Sequence, residues 1–412
     1  MPAPERRTRG DLFAAAVVAV AVLVAATGLW WTSDARHTTL LIAPGPARQL
    51  PTGGSGAELL PSTLVESWRA PSAATPVPLV QDGIAVTAAD GKVAGRDLIS
   101  GSVRWSYQRD LPLCTVAAAF NRVLALYQRG QTCSEVSTLR WADGRRGPQR
   151  TGPVQAPTRV TADGDHAAAT GRRYLEVWRT DLVRTLSYGR LPTPAQPNTQ
   201  PRPDCTYGSL ALNAGKLAVV ERCPAERSAR LTVQRAHPKE PDRPEVEFST
   251  LLPGEQAQVV AVSAQRVAVA LPGPARLLVL DARGNQVAQY PLAVPDAELR
   301  DDPPGGLASV ARTRSGWSWF TGSATVALTA DDLRPRWTRA GALGPGSLVG
   351  GWLLLPTPGA LRVLNAGTGQ EIRTLPVDRG GYRGPVGTAV GAAGEGGTVL
   401  LELRGDTLVA LR

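Results

Sequence analysis

Two hydrophobic patterns divide the chain. From Leu12 to Trp31 the sequence LFAAAVVAVAVLVAATGLWW carries no charged residue, a run long enough at about 1.5 Å per residue to cross about 30 Å of hydrocarbon. It predicts a membrane-spanning helix. Beyond Ser62 the pattern becomes short apolar runs broken by Asp-Gly, Ser-Gly and similar turns, the mark of strands and hairpins. Runs starting at Gly83, Arg122, His166, Lys216, Arg266, Trp317, Trp352 and Thr398 each follow one apolar run and recur about every 45 residues, the repeat length of a four-stranded propeller blade. The expectation is an all-β fold, an eight-bladed β-propeller, with seven blades as the alternative because the outer strands of the second and third repeats are weak. No stretch after Thr32 sustains a helical period, which leaves helical solenoids without support.

The last repeat, ending in TLVALR, has no outermost strand of its own. Leu64, Val65, Glu66, Ser67 and Trp68 resemble the outer strand Ser102, Val103, Arg104 and Trp105 of the first repeat. They are expected to complete the last blade and close the ring, removing an exposed edge. Arg6, Arg7 and Arg9 flank one end of the apolar helix, so the positive-inside rule places residues 1–11 in the cytoplasm and everything after Thr32 outside. A cleaved signal peptide with small residues Val24 and Ala26 before the cut is the alternative. Residues 32–62, rich in Pro, Gly and Thr, read as a flexible tether, and 63–412 as the propeller.

Composition changes this picture little. Of 45 basic residues only Lys92, Lys216 and Lys239 are lysine, and the net charge is +10. The arginines are scattered among 35 carboxylates without a basic run, which argues against nucleic-acid binding. All four cysteines lie in the expected exported part, and an even count in an oxidising compartment suggests two disulfides. Three connectivities exist. The similar spacings within Cys114/Cys133 and Cys205/Cys223 favour two local bridges, each expected to tie the start of a first strand to the end of the second on one face of the ring. Zinc is a poor alternative, because no CxxC pair is present and the histidines are His37, His166 and His237 alone.

DGKVAGRDLISGSVRW (Asp90–Trp105), ARLLVLDARGNQV (Ala275–Val287) and ALRVLNAGTGQEI (Ala360–Ile372) resemble the repeats of pyrroloquinoline-quinone-like propellers, with a strand, an Asp-x-x-x-Gly turn and an outer strand often ending in Trp. The resemblance implies fold more than chemistry. Quinone-dependent enzymes of that superfamily carry adjacent cysteines and acidic calcium ligands; this chain has no adjacent cysteines, and no cofactor is expected. The short basic N-terminus, the helix ending in aromatic residues, the segments SDAR (Ser33–Arg36) and APGP, and the two spaced cysteine pairs resemble the polar growth factor A family of mycolate-making actinobacteria. That resemblance implies a non-enzymatic envelope protein of the cytoplasmic membrane, assisting trehalose monomycolate trafficking and polar growth, with a membrane exporter and a glycolipid as partners. The alternatives are a quinone-dependent oxidoreductase, or a cell-wall scaffold or sensor without lipid ligand.

A search for catalytic or metal-binding residues yields weak candidates. Ser347 in GPGSLVG lies in a β context rather than a nucleophile elbow. Asp163, Asp165 and His166 surround an Asp-Gly hairpin signal, and adjacent Asp301 and Asp302 rarely converge on one atom. Trp317, Trp319 and Phe320 read as blade packing. No catalytic or metal site is expected. The candidate binding residues fall instead in two long loops, Gly189–Asp204 and Leu292–Gly306, on the face expected to carry both disulfides: Pro192, Pro194, Pro197, Pro201, Arg202, Asp301, Asp302, Pro303 and Pro304. Short turns are expected to replace these loops without loss of the fold.

Overall fold

The computed structural model describes residues 8–31, 33, 36–45, 63–192, 197–313, 316–392 and 397–412. Helix α1 (Arg9–Trp31) starts on a reciprocal cap: the Asp11 carboxylate accepts from the Thr8 amide and hydroxyl at 2.8 Å, and the Asp11 amide donates to the Thr8 hydroxyl at 3.2 Å, an arrangement that satisfies amides without intrahelical partners. No residue of α1 is buried. An apolar cylinder that no described residue buries fits a single-pass membrane anchor, since only hydrocarbon removes that surface from water.

The rest is an eight-bladed β-propeller. Seven sheets have four strands and the first has five. The second strand of every blade starts at or next to the residue the repeat pattern marks, from Ile84 and Arg122 to Trp352 and Thr398. Closure is as expected: a strand before the first blade, Glu66–Pro71, pairs antiparallel with Thr407–Leu411 and becomes the outermost strand of blade eight. The innermost strands of blades one and eight also touch.

One apolar cluster fills each of the eight junctions between neighbouring blades. Strand alternation supplies both sides of a blade at once. On the second strand of blade two, Val123, Ala125 and Tyr127 pack toward blade one while Leu124 and Leu126 pack toward blade three. Aromatic side chains latch successive blades. Trp68, Trp105 and Trp337, each on the fourth strand of its blade counted from the centre, donate their indole N–H to Leu98, Trp141 and Ala366 carbonyls of the next blade at 3.0, 2.7 and 3.1 Å. Each ring covers a turn glycine, Gly101, Gly144 or Gly369, whose φ of +71°, +75° or +70° suits glycine and whose missing Cβ leaves the room. The turn glycine, which ends an Asp-x-x-x-Gly sequence at Gly101 and an Asn-x-x-x-Gly sequence at Gly369, and the tryptophan of the preceding blade are thus two halves of one contact.

The fifth strand of blade one corrects the expected tether. Strand β1 (Thr38–Leu41) pairs antiparallel with Val103–Arg109, Thr38 opposite Arg109 and Leu41 opposite Ser106. Ala43 is buried, and its amide donates to the Asp143 carbonyl at 3.3 Å. Residues 38–43 are therefore part of the propeller. Four residues carry too little alternation to read as a strand alone; the outer edge of blade one, with its open backbone groups, selects them.

Candidate interaction face

The inner strand of every blade begins on one face, the entry face. Strand alternation puts the loops between blades and the loops joining second to third strands on that same face. Both disulfides lie there: Cys114, near the start of Leu113–Ala119, is bonded to Cys133, and Cys205, just before Thr206–Asn213, is bonded to Cys223 just after Lys216–Arg222. Strand β1 enters from this face too, and His37 Nδ1 sits 2.9 Å from Asp110 Oδ2 on the loop leading from blade one to blade two. Six residues, 32–37, separate α1 from β1. Arg36 lies over the rings of Trp30 and Trp31 at 5.1 and 4.9 Å, joining the interfacial end of the helix to the start of the link.

The two long loops are tied into the propeller. Gln200 accepts from the Gly189 amide at 2.9 Å and donates to the Ser187 and Asp242 carbonyls. Arg202 donates to Glu221 at 2.8 Å, to the Tyr188 hydroxyl at 3.0 Å and to Thr232 at 2.8 Å, so it is committed to a buried carboxylate. Burial, helped by the Glu221 charge, pushes the Tyr188 phenol well above its ordinary pKa and keeps it a donor. Pro192, Pro197 and Pro201 are exposed; Pro194 lies outside the described residues.

The second loop turns inward. Leu299 is buried between blades five and six. Gln258, first residue of the inner strand of blade five, donates to the Glu298 and Asp301 carbonyls, and Thr321 of blade six donates to the Glu298 carboxylate at 2.6 Å. Asp302 is paired with Arg222 of blade four at 2.6 Å, Leu307 packs against the cluster between blades three and four, and a Cβ on Gly305 would meet Arg159 beside the inner strand of blade three. With contacts to the inner strands or their ends in blades three to six, the segment covers that side of the central channel. Pro303 and Pro304 shape its tip, where Pro304–Gly306 forms a 3-10 turn. These contacts tie the loop into four blades, so replacing it by a short turn is expected to cost stability.

The remaining candidates have structural settings. Asp163 accepts from the His166 amide at 2.8 Å and from the Gly215 amide at 2.8 Å, fixing a turn. Ser347 opens the short inner strand of blade seven. Trp319 is buried in the cluster between blades five and six with Trp317 packed against it, and Phe320 faces the next junction. Among the described residues no group of three His, Cys, Asp or Glu side chains is placed to hold a metal. The sequence reading missed a groove of about 500 Å³ on the entry face, lined by Asp90, Asp110, Leu111, Leu113 and Cys114. Its walls come from residues distant in the chain, and the groove adjoins the point where β1 enters.

No family model and no curated protein matches this sequence. Solved structures do. BamB from Moraxella catarrhalis is 13% identical, with 85% of this chain and 100% of that chain covered and a TM-score of 0.50. Saccharomyces cerevisiae Sqt1 is 10% identical over 84% and 97%, with a TM-score of 0.52. The dihydro-heme d1 dehydrogenase NirN, in complex with DHE, is 13% identical over 83% and 78%, with a TM-score of 0.50. The likeness is one of fold. Such propellers include a dehydrogenase, so shared architecture does not select a chemistry.

Proposed function

We propose that this chain is a non-enzymatic, membrane-anchored interaction propeller of the cell envelope. In this reading the propeller lies on the extracytoplasmic side and its entry face engages a membrane protein of the lipid-export class, assisting trehalose monomycolate trafficking and polar envelope growth. The observation that carries the reading is strand β1, which starts at the entry face and is joined to the helix by six residues; in this reading that short link keeps the entry face near the membrane. A partner embedded in the same membrane is then within reach of the disulfide-braced rim and the groove at Asp90 and Asp110. The extracytoplasmic placement is supported by the two disulfides, and the exporter and glycolipid by the sequence resemblance.

Photo-crosslinkers placed in cells at Gln131 and Pro197 on the entry face, with Asp332 on the opposite face as control, test this. The reading predicts capture of one membrane protein from the entry face alone. Capture from Asp332 only, or of soluble proteins only, overturns it. The quinone-dependent alternative is weakened by the segment lying over the channel mouth, and it predicts dye reduction when pyrroloquinoline quinone and calcium are added to the full chain.

A further inference from the structure

Several carboxylates on or against the entry face of blades three and four are already neutralised inside the protein: Glu176 by Arg150, Glu221 by Arg202, Glu226 by Arg230, and Asp302, from the loop between blades five and six, by Arg222. Four arginines of the same rim are not used in this way. Arg172 and Arg173 lie in the loop joining the second and third strands of blade three, Arg190 begins the loop to blade four, and Arg227 lies in the corresponding loop of blade four. All four are exposed, and no hydrogen bond or ion pair joins their side chains to another described residue. Backbone bonds hold them together: the Arg190 amide donates to the Arg173 carbonyl and the Tyr207 amide to the Arg172 carbonyl, each at 2.8 Å. The Cys205–Cys223 bridge fixes the Arg227 loop to the chain just before Tyr207. The carboxylates beside them without an ion pair among the described residues are Asp204 and Glu255, so the four arginines outnumber them two to one and the rim keeps a net positive charge.

We propose that Arg172, Arg173, Arg190 and Arg227 form a docking patch for anionic phospholipid headgroups of the membrane that holds α1. Geometry brings the two together. The six-residue link spans at most about 20 Å when extended, and β1 leaves blade one at the entry face. The patch, two to three blades round the ring, can therefore settle on the bilayer by a tilt of the whole propeller. Electrostatic attraction acts within a screening length of about 8 Å at physiological salt, and each arginine near an anionic surface is worth about fivefold in partitioning. Guanidinium groups also bind phosphate through two parallel hydrogen bonds. The proposal rests on the membrane anchor and needs no protein partner, so its failure leaves the crosslinking result above unaffected.

The test is amide hydrogen exchange on the full chain reconstituted into vesicles of phosphatidylcholine alone or with added phosphatidylglycerol. We expect exchange in the loops at 170–173 and 223–229 to slow at least tenfold with phosphatidylglycerol, to recover at high salt, and to stay unchanged in the opposite-face loop 330–334 of blade six. The combined variant R172Q/R173Q/R190Q/R227Q, at an unchanged melting temperature, should show no lipid dependence. Equal exchange in the two lipids overturns the proposal, and so does full protection retained by the variant. The comparison of lipids on the unaltered chain stands even if the variant fails to fold.

Discussion

The contact between Trp105 and Gly144 is the best place to measure what joins one blade to the next. Trp105 is fully buried, and its indole N–H donates to the Trp141 carbonyl at 2.7 Å. Trp105→Ala removes a large side chain from a packed junction and should cost about 3 to 5 kcal/mol. Trp105→Phe keeps a ring but leaves the Trp141 carbonyl without its donor, a loss of about 1 to 2 kcal/mol. From the other side, a Cβ on Gly144 would lie 2.7 Å from the indole, on a backbone with φ of +75°. Gly144→Ala should therefore cost about 1 kcal/mol for the left-handed conformation and about 1 to 3 more for overpacking. In the Trp105→Ala background the overpacking vanishes and the conformational part remains. The double-mutant cycle should then yield a coupling of about 1 to 3 kcal/mol. Urea unfolding of the full chain in detergent, followed by far-ultraviolet circular dichroism, reads these values independently of the altered tryptophan. Additivity within about 0.5 kcal/mol would show that glycine and tryptophan do not share one contact.

Other consequences follow from buried charge and from the channel segment. Glu402, fully buried, accepts from Arg379 at 2.7 and 2.9 Å and from Arg404 at 2.8 Å; Glu402→Gln leaves both guanidinium groups without their carboxylate and should cost about 3 to 5 kcal/mol, Arg379→Met keeps the Arg404 bond and should cost less, and equal losses would contradict the shared carboxylate. Hydrogen bonds from Arg69, Arg140 and Arg230 hold the Glu66, Asp143 and Glu226 carboxyls below their ordinary range. Their contribution is present above the unfolded pKa and lost as pH falls through the lowered folded values, so stability should decline below about pH 4. The loss should be small, since each pair has solvent access, and Glu226→Gln should flatten the acid slope of the urea midpoint; an unchanged slope speaks against that pair. Replacing Leu292–Gly306 by a Gly/Ser turn removes the Glu298 and Asp302 contacts and should lower the melting temperature by about 5 °C or more, whereas an unchanged melting temperature would mean that the segment merely lies on the surface.

The blades are legible in the sequence because each is local: strand, Asp-x-x-x-Gly turn and outer tryptophan lie within one repeat, and two-residue alternation registers both faces of each strand. Even ring closure is visible, since Trp68 repeats the position of Trp105. What escapes is built from residues far apart. Strand β1 has four residues and is defined by Val103–Arg109 rather than by its own pattern. Arg202 and Asp302 look like free surface charges until the fold sets Glu221 and Arg222 beside them. The same scatter hides the unpaired set, because Arg172, Arg173, Arg190 and Arg227 become neighbours only through strand pairing and the Cys205–Cys223 bridge.

The central claim is that β1 holds the entry face toward the membrane. Fluorophores incorporated at Gln131 on the entry face or Asp332 on the opposite face of the full chain, with an energy acceptor on the lipid headgroups, measure this directly. The account predicts strong transfer from Gln131 and weak transfer from Asp332, with the difference abolished by Thr39→Pro, which removes the amide that faces Gln108 in the ladder. Equal transfer from the two positions in the unaltered chain, or stronger transfer from Asp332, would contradict it.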